Sequence, residues 1–140
     1  MELNRRGAED AERREERREL GEEMSELTGA VIGAAIEVHR MLGPGFLESV
    51  YHQALRLELE MRGIPHKSKY PVAITYKGRQ VGEGELDFFV GDTLVVELKA
   101  VEKLAPIHEA QAISYLKITN QSSPFSSTLT FPFSNKVSKE

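Results

Sequence analysis

Three side chains hold the most chemistry in this chain. Asp87 ends an alternating stretch, and ten residues later Glu97 and Lys99 lie two apart inside the apolar run Leu94-Val95-Val96-Glu97-Leu98-Lys99-Ala100. Such a run reads as a buried strand whose side chains alternate between faces. Glu97 and Lys99 then share one face while Val96 and Leu98 take the other. An ionised group inside an apolar element costs several kcal/mol unless it is paired, hydrated in a cleft or bound to a metal. Two carboxylates beside a lysine suit a hard divalent cation next to an acid–base group. The plainer alternative is a structural Glu97–Lys99 ion pair at a strand end, with Asp87 merely preceding a turn.

The flanking pattern supplies elements that position these groups. Leu27, Val31, Ile32, Ala35, Ile36 and His39 recur at helical spacing after Ser25, a candidate N-cap, until Gly43-Pro44-Gly45 stops them. A second helix is predicted over 46–61, with Val50, Tyr51, Ala54, Leu55 and Leu59 inward, ending at Gly63-Ile64-Pro65. The period then changes to two, predicting strands over 70–76, 79–90 and 93–100, joined by turns at Lys77-Gly78 and Gly91-Asp92. Pro106 opens a further helix, whose Ile107, Ala110, Ile113, Tyr115 and Leu116 give it an apolar face as far as Thr119-Asn120. The expected fold is α/β: a helical hairpin, a three-stranded antiparallel meander and a following helix.

Composition sets the outer bounds. With 140 residues, 40% of them hydrophobic and 29% charged, the chain suits one soluble domain, placed at residues 24–120. No apolar stretch approaches the roughly 20 residues that span a bilayer, and the N-terminus has no signal-peptide core, so the expected location is cytoplasmic with no membrane partner. Cysteine is absent, which removes disulfides and thiolate ligands and leaves oxygen or imidazole to hold any metal. Residues 1–27 carry ten acids and six arginines, whereas 28–140 carry twelve charges of each sign. Residues 1–23, almost without an apolar stripe, read as a solvated helix or a disordered arm. The neutral remainder lacks the basic excess of a strong nonspecific nucleic-acid binder.

Taken in order, these blocks resemble the PD-(D/E)XK nuclease superfamily, and within it the small bacterial GxxExxY family. Its naming motif stands as Gly45-Phe46-Leu47-Glu48-Ser49-Val50-Tyr51, followed by Asp87 with Glu97-Leu98-Lys99. The next helix has His108-Glu109-Ala110-Gln111 and Tyr115, similar to the Gln-x-x-x-Tyr element of RecB-like nucleases. The resemblance implies a restriction-endonuclease-like core and metal-dependent hydrolysis of phosphodiester bonds in nucleic acid. It implies Mg²⁺, with Mn²⁺ as a substitute, held by Asp87, Glu97, the Leu98 carbonyl and Glu48, with Lys99 acting on the attacking water. Gln111 and Tyr115, with Tyr51 and His108, would touch the substrate strand or brace the site. Each has a simpler alternative. Glu48 suits the positive end of a helix dipole, Gln111 and Tyr115 suit a helix boundary, and His39 and His108 suit the core or supporting hydrogen bonds. His52 and His66 belong to no ligand-spaced pair. Glu85, two residues before Asp87, stands where relatives often carry a basic residue, and would either join the ion or repel phosphate.

Residues 121–140 depart from the family pattern, being Ser-rich where a final hydrophobic strand is expected. Only 128–133 suits a short strand, interrupted by Pro132. The expected consequence is a final strand lost or altered, with Phe131 and Phe133 partly taking its place. Phe125 to Asn135 can be encoded so that a shifted frame reads LINFNVPFLK, which matches that missing strand. Three readings follow: a nuclease, a catalytically inactive nuclease-fold binding or interaction domain, or the nonfunctional product of a frameshifted gene. The nucleotide sequence of codons 115–140 tests the last. A frame spelling LINFNVPFLK is the expected result, and its absence makes the Ser-rich segment native.

Overall fold

A computed structural model describes residues 4–99, 101, 104–120 and 127–133. The elements run α1 (Arg5–Leu42), α2 (Glu48–Met61), β1 (His66–Tyr76), β2 (Arg79–Val90), β3 (Leu94–Lys99), α3 (Pro106–Asn120) and β4 (Ser127–Pro132). The expected strand end at Ala100, the side chain of Leu116 and the segments 121–126 and 134–140 lie outside the described residues. No helix among the described residues is long and apolar enough to cross a membrane.

The four strands lie in the order β1-β2-β3-β4. The first three form the expected antiparallel meander, and β4 pairs in parallel with β3. Both hairpin turns have positive φ at the expected residues, Lys77-Gly78 and Gly91-Asp92, as the right-handed twist of the joined strands requires. Helices α1 and α2 cover one face. There Val31, Ala34, Ala35 and Val38 of α1 and Tyr51, Leu55 and Leu59 of α2 meet Phe88, Val90, Leu94, Val96 and Leu98. Helix α3 serves the other face, where Tyr115 and Ile118 pack against Val72, Leu86, Phe89 and Val95. Covered on both sides, β3 is buried from Leu94 to Leu98, which explains its unbroken apolar run.

Three expectations are corrected. First, α1 does not start at Ser25. It is one helix of 38 residues, about 57 Å long at 1.5 Å per residue. Residues 4–23 are exposed throughout, and good helix formers with pairs such as Arg18–Glu15 at 2.6 Å carry the helix upstream without an apolar face. Second, the buried stripe of α1 is rotated. Val31, Ala34, Ala35 and Val38 face the sheet, while Ile32, Ile36 and His39 are exposed. His39 is therefore not a core histidine, although its ring lies 5.9 Å from that of Phe133. Third, exposed Val50 is not part of the inward face of α2, and exposed Ile107 and Ile113 are not part of that of α3. The final strand is present as β4, in the altered form expected, with Phe131 and, just past its end, Phe133 at the apolar positions. Leu129, Phe131 and Phe133 alternate onto the α1–α2 core, so a period of two survives in a Ser/Thr-rich segment.

Phe133 completes that core. It is 2% exposed, stacks on Tyr51 at 4.6 Å between ring centroids, and its N–H donates to the Lys99 carbonyl at 2.7 Å. Phe133→Ala is expected to lower the unfolding free energy by roughly 3–5 kcal/mol, read from urea denaturation. A loss within experimental error would show that β4 contributes nothing to the fold.

Candidate active site

Strands β2 and β3 separate where the acids sit. Their paired residues are Val90–Leu94, Phe89–Val95 and Phe88–Val96, and side chains take over beyond the last pair. The Leu98 N–H donates to Asp87 Oδ2 at 2.7 Å, and the Asp87 N–H donates to Glu97 Oε1 at 3.3 Å. Each carboxylate thus accepts from a main-chain N–H of the neighbouring strand where the β2–β3 pairing ends, and this exchange holds the two acids together.

Glu97 is 5% exposed. Burial, and then the adjacent Asp87 carboxylate, push its pKa from the ordinary 4.5 up to about 8; the N–H of Asp87 and the Lys99 ammonium pull the other way. Glu97 and Lys99 form no ion pair within 4.0 Å among the described residues, so a structural salt bridge does not account for the two charges. Two adjacent carboxylates, Glu97 buried and Asp87 half-buried, with no ion pair among the described residues, suit a hard cation, and in that respect the donor set fits a divalent ion. The described residues contain no group of three or more His, Cys, Asp or Glu side chains already gathered for a metal.

Glu48 approaches from α2. As the first residue of that helix it is exposed, and with Ser49, His52, Gln53, Lys69 and Asp87 it lines a cleft of about 200 Å³. Its placement depends on the Gly43–Phe46 loop. Gly43 and Gly45 have φ of 70° and 106°, which a side chain would resist. The buried Tyr51 hydroxyl donates to the Gly43 carbonyl at 2.7 Å and accepts the Phe46 N–H at 3.3 Å. Tyr51 therefore clamps the loop that delivers Glu48, one turn upstream on the same helix.

The remaining expected residues have other placements. His108 Nδ1 accepts the Ala105 N–H at 2.9 Å at the start of α3. Tyr115 lies over Gly84, where an added Cβ would come within 2.8 Å of its ring. Gln111 is exposed on α3, and Glu85 is exposed opposite Pro71. The structure brings in two residues for which sequence spacing gave no signal, His52 and Lys69. His52 is buried and stacks on Phe88 at 4.4 Å. Its Nε2 lies 3.2 Å from the Asp87 carbonyl, and because a carbonyl only accepts, that contact places the ring proton on Nε2. Nδ1 has no partner among the described residues. His52 thus braces the main chain of Asp87 from the helix layer.

The raised Glu97 pKa has a definite sign. The folded protein holds a proton that the unfolded chain releases, so this group's contribution is complete below pH 4.5 and is lost as pH rises through about 8. In metal-free buffer, stability is expected to fall by a few kcal/mol between pH 5 and pH 9, and Glu97→Gln is expected to flatten that fall. Chemical denaturation of both proteins across this range checks it, and parallel curves would remove Glu97 as the cause.

A model of the PD-(D/E)XK nuclease superfamily matches residues 25–139, from the core half of α1 through β4. No curated protein matches the chain. No solved structure matches it. The match spans most of the chain, and the mixed α/β fold with its four-stranded sheet is consistent with the restriction-endonuclease-like architecture. With Asp87 and Glu97-Leu98-Lys99 meeting at the strand fork, the chain belongs to the PD-(D/E)XK nuclease superfamily.

Proposed function

We propose that this protein is a metal-dependent nuclease that hydrolyses phosphodiester bonds in nucleic acid. The observation that carries the reading is the Asp87–Glu97 carboxylate pair at the β2–β3 fork, a half-buried acid beside a buried one, with no ion pair to either among the described residues. Asp87, Glu97 and the Leu98 carbonyl are the residues that would hold Mg²⁺ or Mn²⁺, with Glu48 contributing from α2. Such an ion, when bound, neutralises charge on the phosphate and makes water a better nucleophile.

The chain's own groups divide the remaining work. Asp87 is fixed through its Oδ2 by the Leu98 N–H and through its carbonyl by His52, so its carboxylate keeps one orientation. Lys99, half-buried at the end of β3, orients the attacking water and offsets the charge that gathers on the phosphate. The Gly45–Tyr51 motif, similar to that of the GxxExxY family, serves to present Glu48 at the cleft. Gln111 on α3 supports the substrate strand, while Tyr51, Tyr115 and His108 support the site through packing and capping.

Incubation with plasmid DNA, single-stranded DNA and RNA, with Mg²⁺ and with EDTA, tests the reading. Cleavage is expected only with the ion. Glu97→Gln, Asp87→Asn and Lys99→Met are each expected to slow it by about 10²-fold or more, and Glu48→Gln by less. Stoichiometric binding without turnover on every substrate would sink the catalytic reading in favour of a binding domain with a nuclease fold.

A further inference from the structure

Among the described residues, three other than glycine have positive φ: Lys69 at 50°, Lys77 at 49° and Asp92 at 55°. Lys77 and Asp92 occupy hairpin turns, where that conformation is required. Lys69 lies within β1, between the Ser68–Phe88 and Tyr70–Leu86 pairs, which puts it opposite Asp87. No turn accounts for its backbone, and a glycine would adopt it without steric cost. The strand changes face at this point. Leu86 packs into the α3-side core and Phe88 into the α1–α2 core, although residues two apart on a regular strand share a face. Distortions of this kind re-aim side chains, and Lys69 lines the cleft together with Asp87 and Glu48.

The Lys69 side chain is exposed and has no hydrogen bond or ion pair among the described residues. The nearby Lys67, by contrast, pairs with Asp92 at 3.1 Å. An unpaired ammonium is therefore held, in a strained conformation, at the mouth of a cleft lined by two carboxylates. Neutralising those acids does not require it to be free, whereas an incoming anion does. Resting on the nuclease reading, we infer that Lys69 is a substrate-positioning residue that binds a phosphate of the nucleic-acid strand beside the scissile one. A point charge of this kind recognises backbone rather than sequence.

The test is fluorescence anisotropy with a short labelled DNA duplex and the same sequence as RNA, in Ca²⁺ to hold back turnover, over a series of salt concentrations. Lys69→Ala and Lys69→Gly are expected to bind roughly five- to tenfold more weakly than wild type at low salt. Both are expected to lower the slope of log affinity against log salt by about 0.7–0.9, the value for one lost phosphate contact. Lys69→Arg is expected to stay close to wild type. Lys69→Gly also relieves the backbone, so it is expected to fold at least as stably as wild type, which separates lost charge from lost structure. Unchanged affinity and slope in Lys69→Ala would overturn the assignment, as would an equal loss in Lys69→Arg. If wild type cleaves with Mg²⁺ while the Lys69 variants bind normally, only this assignment falls. If wild type neither binds nor cleaves, the nuclease reading falls with it.

Discussion

The arrangement turns on a gap in a β-ladder. Beyond Phe88–Val96, the donors of β2 and β3 are met by each other's carboxylates instead of by carbonyls, with Leu98 N–H on Asp87 and Asp87 N–H on Glu97. Any fork between strands exposes unpaired main-chain groups, which cost free energy when buried. Acidic side chains satisfy those donors and leave spare lone pairs directed into the opening. One local solution therefore closes the hydrogen-bond account of the sheet and creates an electronegative site.

That solution has an electrostatic cost. Two carboxylates this close, one almost fully buried, do not both ionise comfortably, and Glu97 takes up the conflict as a proton affinity raised to about 8. Lys99 eases the conflict without a direct ion pair. Replacing the acids by apolar residues of similar shape would relieve the fork only by stranding the donors they serve. The sequence keeps the acids, and the surrounding structure is built to hold them. His52 braces Asp87 from the helix layer, Tyr51 clamps the loop that positions Glu48, and Phe133 stacks on Tyr51 from the far edge of the sheet. The edge strand and the site are thus linked through an aromatic stack as well as through the β3–β4 ladder and the Phe133 N–H bond to the Lys99 carbonyl.

Much of this was legible in the chain, for identifiable reasons. The strand pattern, both hairpin turns and the start of α3 at Pro106 come from local rules of alternation, glycine placement and proline geometry, and tertiary packing left them intact. That Asp87 and Glu97 form one site was implied by the nuclease resemblance, and the β2–β3 register sets the two opposite each other. The misreadings arose where a local signal had a stronger competitor. Ser25 looked like a cap, but the Glu/Arg-rich stretch before it favours helix strongly enough to continue through. Ile32 and Ile36 fit a helical stripe, but the sheet selected the smaller Ala34 and Ala35 for close approach. β4 was legible only as the short stretch 128–133, because its serines and threonines dilute an apolar face that survives at every other residue. Nothing in spacing could mark His52 or Lys69, because each meets Asp87 only through the fold.

Lys69 and Glu97 show two ways in which one site stores free energy. Glu97 holds it as electrostatics, through a carboxylate deprived of water beside another carboxylate. Lys69 holds it as conformation, through a left-handed backbone in a strand where no turn calls for one. Neither cost is recovered within the folded protein. A cation relieves the first, and an anion gives the second a partner. On the nuclease reading proposed above, a metal ion and a phosphate strand are complementary occupants of one cleft, each satisfying a charge that the other would leave exposed. On that reading, binding of either improves the electrostatic environment for the other, and the cleft takes two ligands of opposite sign at once, the ground state that phosphodiester hydrolysis requires.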